Sequence, residues 1–581
     1  MADRPLPAWG AVRRADGGVR FRLWAPDCEA LTLRLDGSDQ PMEPAGGGWF
    51  ETVAEAAEGA PYAFVLPDGT TVPDPASRRQ DGDVHGPSCV TGSDYAWQTG
   101  WDGRAWEEAV ICELHIGTFT ADGTFRAAIG RLDALADTGF TAIEIMPVAQ
   151  FAGSRGWGYD GVLPYAPHPA YGTPDDLRAF VDAAQQRGLM VLLDVVYNHF
   201  GPEGNYLHAY AEPFFDASRH TPWGAGIDYT RTPVRRFFIE NALYWLREFR
   251  LDGLRLDAID QIRDPSEPEL LVELAQEVRA RITDRPVHLT TEDNRNVTHL
   301  HERRNGAVAL HTAEWNDDMH NAAHVLATGE ADAYYRPFAD DPSRHLARAL
   351  AEGFAFQGPE RGEPSAHLPP AAFVDFLQNH DQTGNRALGE RLVTLTDPAM
   401  HDALTAILLL SPHVPLMFMG EDWGETRPFL FFAGFDGDLG RAVTEGRRRE
   451  FADFPAFAGH TGDIPDPIDP ATFAASRLDW ARRDTPGGMA AREKVRHLLR
   501  LRRDRIVPHL ARAGGHAGTV RVAGDGRIAV DWRLGDARLA LRANLGDSAA
   551  DLPGADGTLL HLSGAAPGAP RSAAHYIAEA R

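Results

Sequence analysis

The sequence predicts an α/β fold, a (β/α)8 TIM barrel, with a β-sandwich before it and an all-β domain after it. Eight short apolar runs alternate with amphipathic helical stretches, which is typical of a parallel sheet covered on both faces. Four of these runs end in carboxylates, and strand ends of such a barrel converge on one face. The four are Asp194, Asp257, Glu292 and Asp381. A doubly wound open sheet is the alternative, but it would not account for acids at four separate strand ends.

Residues 1–97 predict the β-sandwich. The runs GVRFRLWAP, ALTLRL, GWFETV and PYAFVL are short, alternate in polarity and are separated by turn residues, as expected of strands. The stretch Pro73 to Pro87 is rich in proline, glycine and charge, which predicts a linker that crosses to the barrel.

Residues 98–512 predict the barrel, with a short insertion at 200–232 after the third strand. Thr173 followed by Pro174 marks a helix start, and Gly139 and Gly188 mark helix ends. The predicted strands are Val110–Ile116, Ala142–Val148, Leu189–Val196, Leu254–Leu256, Val287–Thr291, Ala307–Leu310, Phe373–Leu377 and Val414–Met419. Residues 513–581 predict the all-β domain, with strands in TVRVAG, RIAVDWRL and RLALRANL.

Composition excludes several classes of protein. The chain has 581 residues and a net charge of −26, from 57 basic and 83 acidic residues, which argues against nucleic-acid binding. No apolar stretch is long enough for a membrane helix, and MADRPLPAWG lacks the apolar region of a secretory signal. The three cysteines are too few and scattered for a disulfide framework. We therefore expect a reduced, cytoplasmic protein that binds neither nucleic acid nor membrane.

The strand-end acids suit work on a glycosidic bond. Arg255 lies two residues before Asp257, so the two side chains share a strand face. A guanidinium there keeps the carboxylate ionised, as a glycosyl nucleophile requires; a simple structural ion pair is the alternative. Glu292 would be the general acid and then the base, a role that needs a raised pKa. Alternatively, Glu292 would only stabilise the N-terminus of the following helix. Asp293, at the same strand end, is the other candidate for the general acid.

The motifs resemble those of a known superfamily. DVVYNH, GLRLDAID, LTTED and FLQNHDQ resemble the four signature regions of the α-amylase superfamily of glycoside hydrolases. RGWGYDGV, EWNDDMHNAAHVLATGE and FMGEDWGETRPFLFF are similar to the maltooligosyltrehalose trehalohydrolases in particular. RLWAP resembles the start of their accessory sandwich, a carbohydrate-binding-module-like domain. The similarity covers nearly the whole chain.

The resemblance implies roles for individual residues. It favours Glu292 over Asp293 as the acid and makes Asp381 the third carboxylate, which stabilises the transition state. For His199, His380 and Tyr159, the alternative is a buried core residue with its polar atoms satisfied by the protein. Those contacts are Tyr159, Asp194, His199, Arg255, Asp260, Asp317, Asp318, His320, His380, Gln382 and Asn385.

Two loops are expected to set specificity, EWNDDMH after the sixth strand and FMGEDWGE after the eighth. Their tryptophans, Trp315 and Trp423, would either face sugar rings or anchor the loops, and the sequence does not separate these readings.

No metal or cofactor is expected. Asn198 matches an asparagine that binds calcium in many amylases, but the insertion after it is short and offers few acidic partners, whereas calcium needs several oxygen ligands. The chain has no P-loop, dinucleotide fingerprint or zinc spacing.

The sequence predicts a retaining hydrolase that cuts the α-1,4 bond next to the terminal trehalose of maltooligosyltrehalose. Retention would place the carboxyls of Asp257 and Glu292 about 5–5.5 Å apart. A maltooligosyltrehalose synthase would be the functional partner. A branching or debranching enzyme is the alternative in the same superfamily, and a catalytically inactive glucan-binding protein is the alternative of another class.

Overall fold

A computed structural model describes residues 6–92, 94–221, 224–358, 361–451 and 464–579. The ends of the two predicted outer domains, 1–5 and 580–581, lie outside the described residues. So do Ser93, 359–360, 452–463 and two residues of the predicted insertion, 222–223.

Eight parallel strands close into a barrel, which confirms the predicted fold class. Each strand pairs with the next in chain order, and the first pairs with the last. Seven of the eight lie where the apolar runs predict them. The strands are Ile111–Leu114, Ala142–Ile145, Met190–Val195, Gly253–Leu256, His288–Thr291, Ala313–Trp315, Phe373–Phe376 and Val414–Phe418.

The prediction for the sixth strand is wrong. The run Ala307–Leu310 contributes only Ala307–Val308, which pairs with Arg303–Arg304 in a small separate hairpin. The barrel strand is Ala313–Trp315, which pairs with the strands on either side. Glu314 and Trp315 therefore belong to the strand itself and not to a loop after it.

Helices cover the outside of the barrel. Pro174–Gln186 begins as predicted, with a capping box between Thr173 and Asp176. Gly139 ends a helix in the left-handed conformation, with φ 113°. In the described part of the chain, the α-helices of five or more residues are Phe125–Ile129, Leu132–Thr138, Pro174–Gln186, Thr232–Glu248, Leu270–Arg281, Asp317–Thr328, Pro342–Glu352, His380–Gly384, Pro398–Leu410, Gly437–Glu450, Pro470–Ala475 and Pro486–Leu501.

The lower part of the barrel interior is apolar. Inward side chains of the barrel strands, among them Ile111, Leu192, Val374 and Leu416, form one buried cluster with Trp106, which precedes the first strand. Strand side chains alternate between the two faces, so the inward positions one step closer to the strand ends carry the polar groups described below.

Two antiparallel sheets precede the barrel, as the sequence predicts. One contains Val12–Arg13, Val19–Trp24, Glu43–Gly46 and Trp49–Ala54, and the other contains Thr32–Leu35, Ser38–Pro41, Pro61–Val65, Thr71–Val72 and Ser88–Cys89. Trp9 fixes this region to the barrel, because its indole donates to the carbonyl of Pro233 at 2.9 Å and its ring meets Phe237 edge-on at 5.0 Å.

The segment Pro73 to Pro87 is more than the linker that its composition predicts. Asp74 is fully buried and accepts hydrogen bonds from the Tyr62 hydroxyl at 2.9 Å and the Ala76 amide at 2.8 Å. The segment then leads into Ser88–Cys89, which pairs with Pro61–Val65. It is packed against the sandwich.

A five-stranded antiparallel sheet ends the chain. Its first three strands match the predicted runs, and two further strands escaped the sequence analysis. The strands are Gly518–Gly524, Arg527–Leu534, Ala537–Asn544, Thr558–Ser563 and Ser572–Glu579. The sheet packs on helix Pro342–Glu352, where the Trp532 indole donates to the Leu350 carbonyl at 2.9 Å. The predicted domain limits at 97 and 512 stay predictions.

Within the part of the chain that the structure describes, no helix has the length and apolar character needed to cross a membrane. Cys28, Cys89 and Cys112 are all unpaired.

We expect Asp74→Ala to lower the free energy of unfolding by about 1–3 kcal/mol, because it leaves the buried Tyr62 hydroxyl and Ala76 amide without an acceptor. Denaturant unfolding measures this. Asp81→Ala changes an exposed acid in the same segment and should stay within about 0.5 kcal/mol of the parent. Equal effects of the two variants would show that the segment is a linker after all.

Candidate active site

The four strand-end acids meet at one mouth of the barrel. Asp194 lies on the third strand, and Asp257 and Glu292 each follow the last residue of a strand. Asp381 lies in the short helix His380–Gly384 after the seventh strand. Asn379 caps that helix by accepting from the amides of Asp381 and Gln382. The fold thus brings together carboxylates from across almost 190 residues of sequence.

Arg255 joins three of these acids. One of its terminal nitrogens, Nη1, donates to Asp194 at 2.6 Å and to Asp257 at 2.9 Å, and Nη2 donates to Glu292 at 2.6 Å. Asp194 and Arg255 are direct neighbours across adjacent strands. One guanidinium therefore sets the spacing of Asp257 and Glu292.

The cluster is mostly buried and is most exposed at Asp381. The Arg255 side chain is fully buried, those of Asp257 and Glu292 are 13% exposed, and that of Asp381 is 36% exposed. Burial raises the pKa of Glu292; Arg255 opposes this effect and Asp257 adds to it. A carboxyl with a raised pKa can donate a proton, so Glu292 has the property of a general acid.

The backbone turns to support Glu292. Ala258 has φ 40°, in the left-handed region that costs a residue other than glycine roughly 1–3 kcal/mol. In this conformation its amide donates to the Glu292 carboxylate at 3.0 Å. Asp293, the rival acid, instead faces Arg295, which binds it at 2.6 Å. The geometry favours Glu292 over Asp293.

The residues after the third strand hold Asp257. The Asn198 amide donates to the Asp257 carboxylate at 2.9 Å and to its carbonyl at 2.8 Å. His199 contacts the Asn198 side chain and, through Nε2, the Tyr159 carbonyl at 2.9 Å. The Tyr159 hydroxyl donates to Asp194 at 2.6 Å. Asn198, which resembles a calcium ligand in sequence, here positions a carboxylate.

His380 lies between the barrel interior and Asp381. Its Nδ1 contacts Glu113, and its Nε2 lies 3.5 Å from Asp381. The rings of Tyr159 and His380 are stacked, with centroids 5.1 Å apart. The imidazole is thus held on both sides, with one nitrogen toward the open mouth.

Asp317, Gln382 and Asn385 lie nearer the rim. Gln382 donates to Asp317 at 3.2 Å, and Asn385 donates to Asp381 at 3.1 Å. Burial raises the pKa of Asp317 well above its usual value, and the charges of Glu292 and Asp381 add to the effect. Asp317 therefore belongs to the same cluster of acids.

The structure corrects the expected sugar contacts of two residues, Asp318 and His320. Asp318 is buried and accepts from the amides of Ala355 and Phe356. His320 is buried and binds the Leu377 carbonyl at 2.7 Å. Asp260 is partly exposed and accepts from the side-chain amide of Gln261 at 2.6 Å, so its expected sugar contact stays a prediction.

Both tryptophans that the sequence assigns to the specificity loops are buried anchors. Trp315 points into the barrel, where the Arg255 guanidinium lies 4.3 Å from its ring centroid. Trp423 is buried against Trp480, with ring centroids 4.9 Å apart. The acids beside Trp423 are also buried, and Glu425 accepts from backbone amides of Thr426, Arg427 and Asp479. The loop after the eighth strand is therefore not the sugar-binding surface that its composition predicts.

Sequence reasoning missed Glu113, Glu144 and the supporting role of Asn198. Glu113 and Glu144 were visible as single acids inside two apolar strand runs, and a buried acid in such a place needs an explanation.

Among the described residues, no group of three or more histidine, cysteine, aspartate or glutamate side chains is placed to hold a metal ion.

The barrel, with acids gathered at the carboxyl ends of its strands, defines a glycoside hydrolase of the α-amylase type. The family model "Alpha amylase, catalytic domain" matches residues 81–214, and a second model, a domain of unknown function, matches residues 515–577.

Whole-chain comparisons narrow this class. A malto-oligosyltrehalose trehalohydrolase of Deinococcus radiodurans is 42% identical to the chain, over 92% of this chain and 89% of that protein. The chain belongs to the malto-oligosyltrehalose trehalohydrolase family. A crystal structure from Salmonella typhimurium, provisionally described as an alpha amylase, is 54% identical, covers 99% of this chain and 100% of its own, and superposes with a TM-score of 0.96. A 1,4-alpha-glucan branching enzyme of Streptomyces avermitilis is 37% identical, but over only 42% of this chain and 45% of its own.

We expect Arg255→Lys to lower turnover by about 10²- to 10⁴-fold, the range that a positioned acid or base contributes. Lysine keeps the charge but offers one nitrogen, so it cannot hold three carboxylates in the same geometry. Steady-state kinetics on an α-glucan measures this.

Arg178→Lys is the matched control. Arg178 is also buried, pairs with Asp175 and lies over the ring of Phe249, but it belongs to an outer helix. Its variant should lose stability without losing turnover. Retention of more than a tenth of wild-type turnover in Arg255→Lys would contradict the role given to the guanidinium.

Proposed function

We propose that this chain hydrolyses the α-1,4 bond that joins a maltooligosaccharide to the terminal trehalose of maltooligosyltrehalose, releasing trehalose with net retention. One observation supports this choice of substrate. Similarity to a trehalohydrolase runs over nine tenths of the chain, whereas similarity to a branching enzyme covers less than half. The shared acids explain the chemistry but do not separate these two activities.

Asp257 is the proposed nucleophile. It attacks the anomeric carbon of the sugar on the maltooligosaccharide side, and a covalent glycosyl-enzyme forms as trehalose departs. Arg255 and Asn198 both donate to its carboxylate, and such donors favour the ionised form that a nucleophile requires. Each carboxylate oxygen accepts from one of these donors, so the orientation of the group is fixed.

Glu292 is the proposed general acid and base. Its raised pKa allows it to give a proton to the departing oxygen of trehalose. Once ionised, it takes a proton from the water that hydrolyses the covalent intermediate. Its position on the same guanidinium as Asp257 supports a short separation of the two acids, as a double displacement requires.

The remaining groups would bind the sugars. Asp381 and His380 face the hydroxyls of the ring being cleaved, and Tyr159 and His199 close the inner side of that subsite. Asp194 and Arg255 form its floor. Asp317, Gln382 and Asn385 lie at the rim, where the next ring would pass.

A non-catalytic glucan-binding role accounts poorly for this arrangement. Binding neutral sugars does not need acids gathered so closely, since each buried carboxylate costs free energy unless it is paired.

The proposed substrate carries a 1,1-linked glucose pair, so a reaction that builds such a linkage on a glucan must supply it. A maltooligosyltrehalose synthase would be that functional partner, and a cytoplasmic location stays a prediction.

Product analysis tests the proposed substrate. We expect free trehalose as the main product from a maltooligosyltrehalose, and much slower cutting of a maltooligosaccharide of equal length, because buried polar contacts reject a substrate that lacks the matching hydroxyls. Chromatography of both digests measures the ratio. Comparable rates would favour a general amylase, and new α-1,6 linkages would favour a branching enzyme.

We expect Asp257→Asn to fold normally and to lose turnover by roughly a thousandfold or more, because no covalent intermediate can form. Asp284→Asn changes an exposed surface acid and should keep full turnover. In the wild type, NMR of the fresh maltooligosaccharide product should show the α-anomer first. Substantial activity in folded Asp257→Asn would remove the residue from this role, and an initial β-anomer would overturn retention.

A further inference from the structure

Two glutamates lie inside the barrel beneath the proposed active site. Glu113 is on the first strand and Glu144 on the second, and their Cα atoms are paired in the parallel register. Each is about 1% exposed. They are the same residue type at the same height, but their carboxyl groups have different surroundings.

Glu113 is bound to His380. One of its oxygens accepts from the His380 backbone amide at 3.0 Å, and the other contacts the ring Nδ1. A carboxylate can only accept, so Nδ1 must carry a proton. The second ring nitrogen, Nε2, then lies on the side of Asp381, 3.5 Å from its carboxylate and toward the open mouth.

Glu144 has no such partner. Neither of its carboxyl oxygens has a hydrogen-bond partner among the described residues. Burial raises its pKa well above the usual value, and the neighbouring acids add to this effect. Glu144 is therefore neutral, since an unpaired ionised carboxylate inside a protein is strongly disfavoured. Of the two acids, Glu113 is the one that can balance a charge on His380.

We propose that Glu113 is a positioning residue for glycosidic cleavage: it orients the His380 imidazole and keeps it doubly protonated, so that Nε2 always presents a proton to a hydroxyl of the sugar being cleaved. The inference rests on the proposed function. A donor that carries a charge makes a hydrogen bond roughly twice as strong as a neutral one. The backbone contact adds a second role, because it joins the catalytic loop after the seventh strand to the first strand.

The balance of neighbouring groups supports a charged imidazole. Burial lowers the pKa of His380, but Glu113 and Asp381 more than offset it and raise the pKa to about 9. Glu292 also favours the charged form, and Arg255 opposes it. The other titratable groups that face the imidazole from the packed elements are His115, Glu144 and Tyr159. Without the charge of Glu113, burial and Arg255 would be opposed mainly by the more exposed Asp381.

Nitrogen NMR of the histidine rings in the free protein tests this directly. The His380 signal is assigned by its absence in His380→Gln. In the wild type, we expect the ring to stay doubly protonated until the pH reaches about 9. In Glu113→Gln, which keeps a hydrogen-bond acceptor but removes the charge, the pKa should fall by at least about two units.

Glu144→Gln is the matched control. It replaces a neutral carboxyl group by a neutral amide of similar shape, on the neighbouring strand at the same height, and should leave the His380 titration unchanged. A wild-type ring that titrates near its ordinary value of about 6.5, or a titration that Glu113→Gln does not move, would overturn the proposal. The wild-type measurement decides the charge state even if Glu113→Gln does not fold.

Kinetics separates positioning from a merely structural role. The ratio of kcat/KM in Glu113→Gln to that in the wild type should lie within about tenfold at pH 5, where both imidazoles are charged, and should fall as the pH rises through the lowered pKa. A structural defect would lower the ratio equally at every pH. The titration uses no substrate, so failure to release trehalose would reject the proposed function and leave this inference to be decided by NMR.

Discussion

The active-site geometry depends on one buried cation. The Arg255 guanidinium binds three carboxylates and lies over the ring of Trp315. Like charges gathered in a poorly solvated space repel each other strongly, so acids from three strands could not share this mouth without a positive group among them. Because the guanidinium is planar and rigid, it fixes the directions of its partners as well as neutralising them. This one residue thus holds Asp257 and Glu292 side by side.

The alternation of side chains along the strands explains where the polar groups lie. Inward positions low in the barrel are apolar and pack together, and the next inward positions carry Glu113, Glu144, Asp194 and Arg255. The charged layer therefore rests on a rigid apolar layer and is open only above. Because Glu113, Glu144 and Asp194 lie on barrel strands, the barrel fixes their backbone positions, which is how the fold provides preorganisation for chemistry.

The fold and the central acids were predictable because their patterns are short and local: an apolar run, then a carboxylate. The sixth strand was not, because the apolar run Ala307–Leu310 leads into a hairpin while the true strand contains Glu314 and Trp315. Tertiary packing overrides the local pattern there, since Trp315 fills the barrel and Glu314 binds Thr291 on the other face.

The contacts of Asp317 and Asp318 could not be predicted from the local pattern either. Successive helical residues point in different directions, so one reaches the mouth and the other binds the backbone of a nearby loop.

The residues that set substrate specificity are the hardest to predict from local sequence patterns. The motif after the eighth strand looks like a sugar-binding loop because it combines acids with tryptophan, yet its side chains satisfy backbone amides and pack against the outer helices. The rim of the mouth instead includes Tyr334, which is 50% exposed, close enough to Asp381 to be affected by its charge, and packed on Tyr335 at 4.5 Å. Exposed aromatic faces suit sugar rings, but exposure is a property of the folded surface that composition does not record. The floor of this site holds the acids, and its specificity must come from rim residues that only the folded chain brings together.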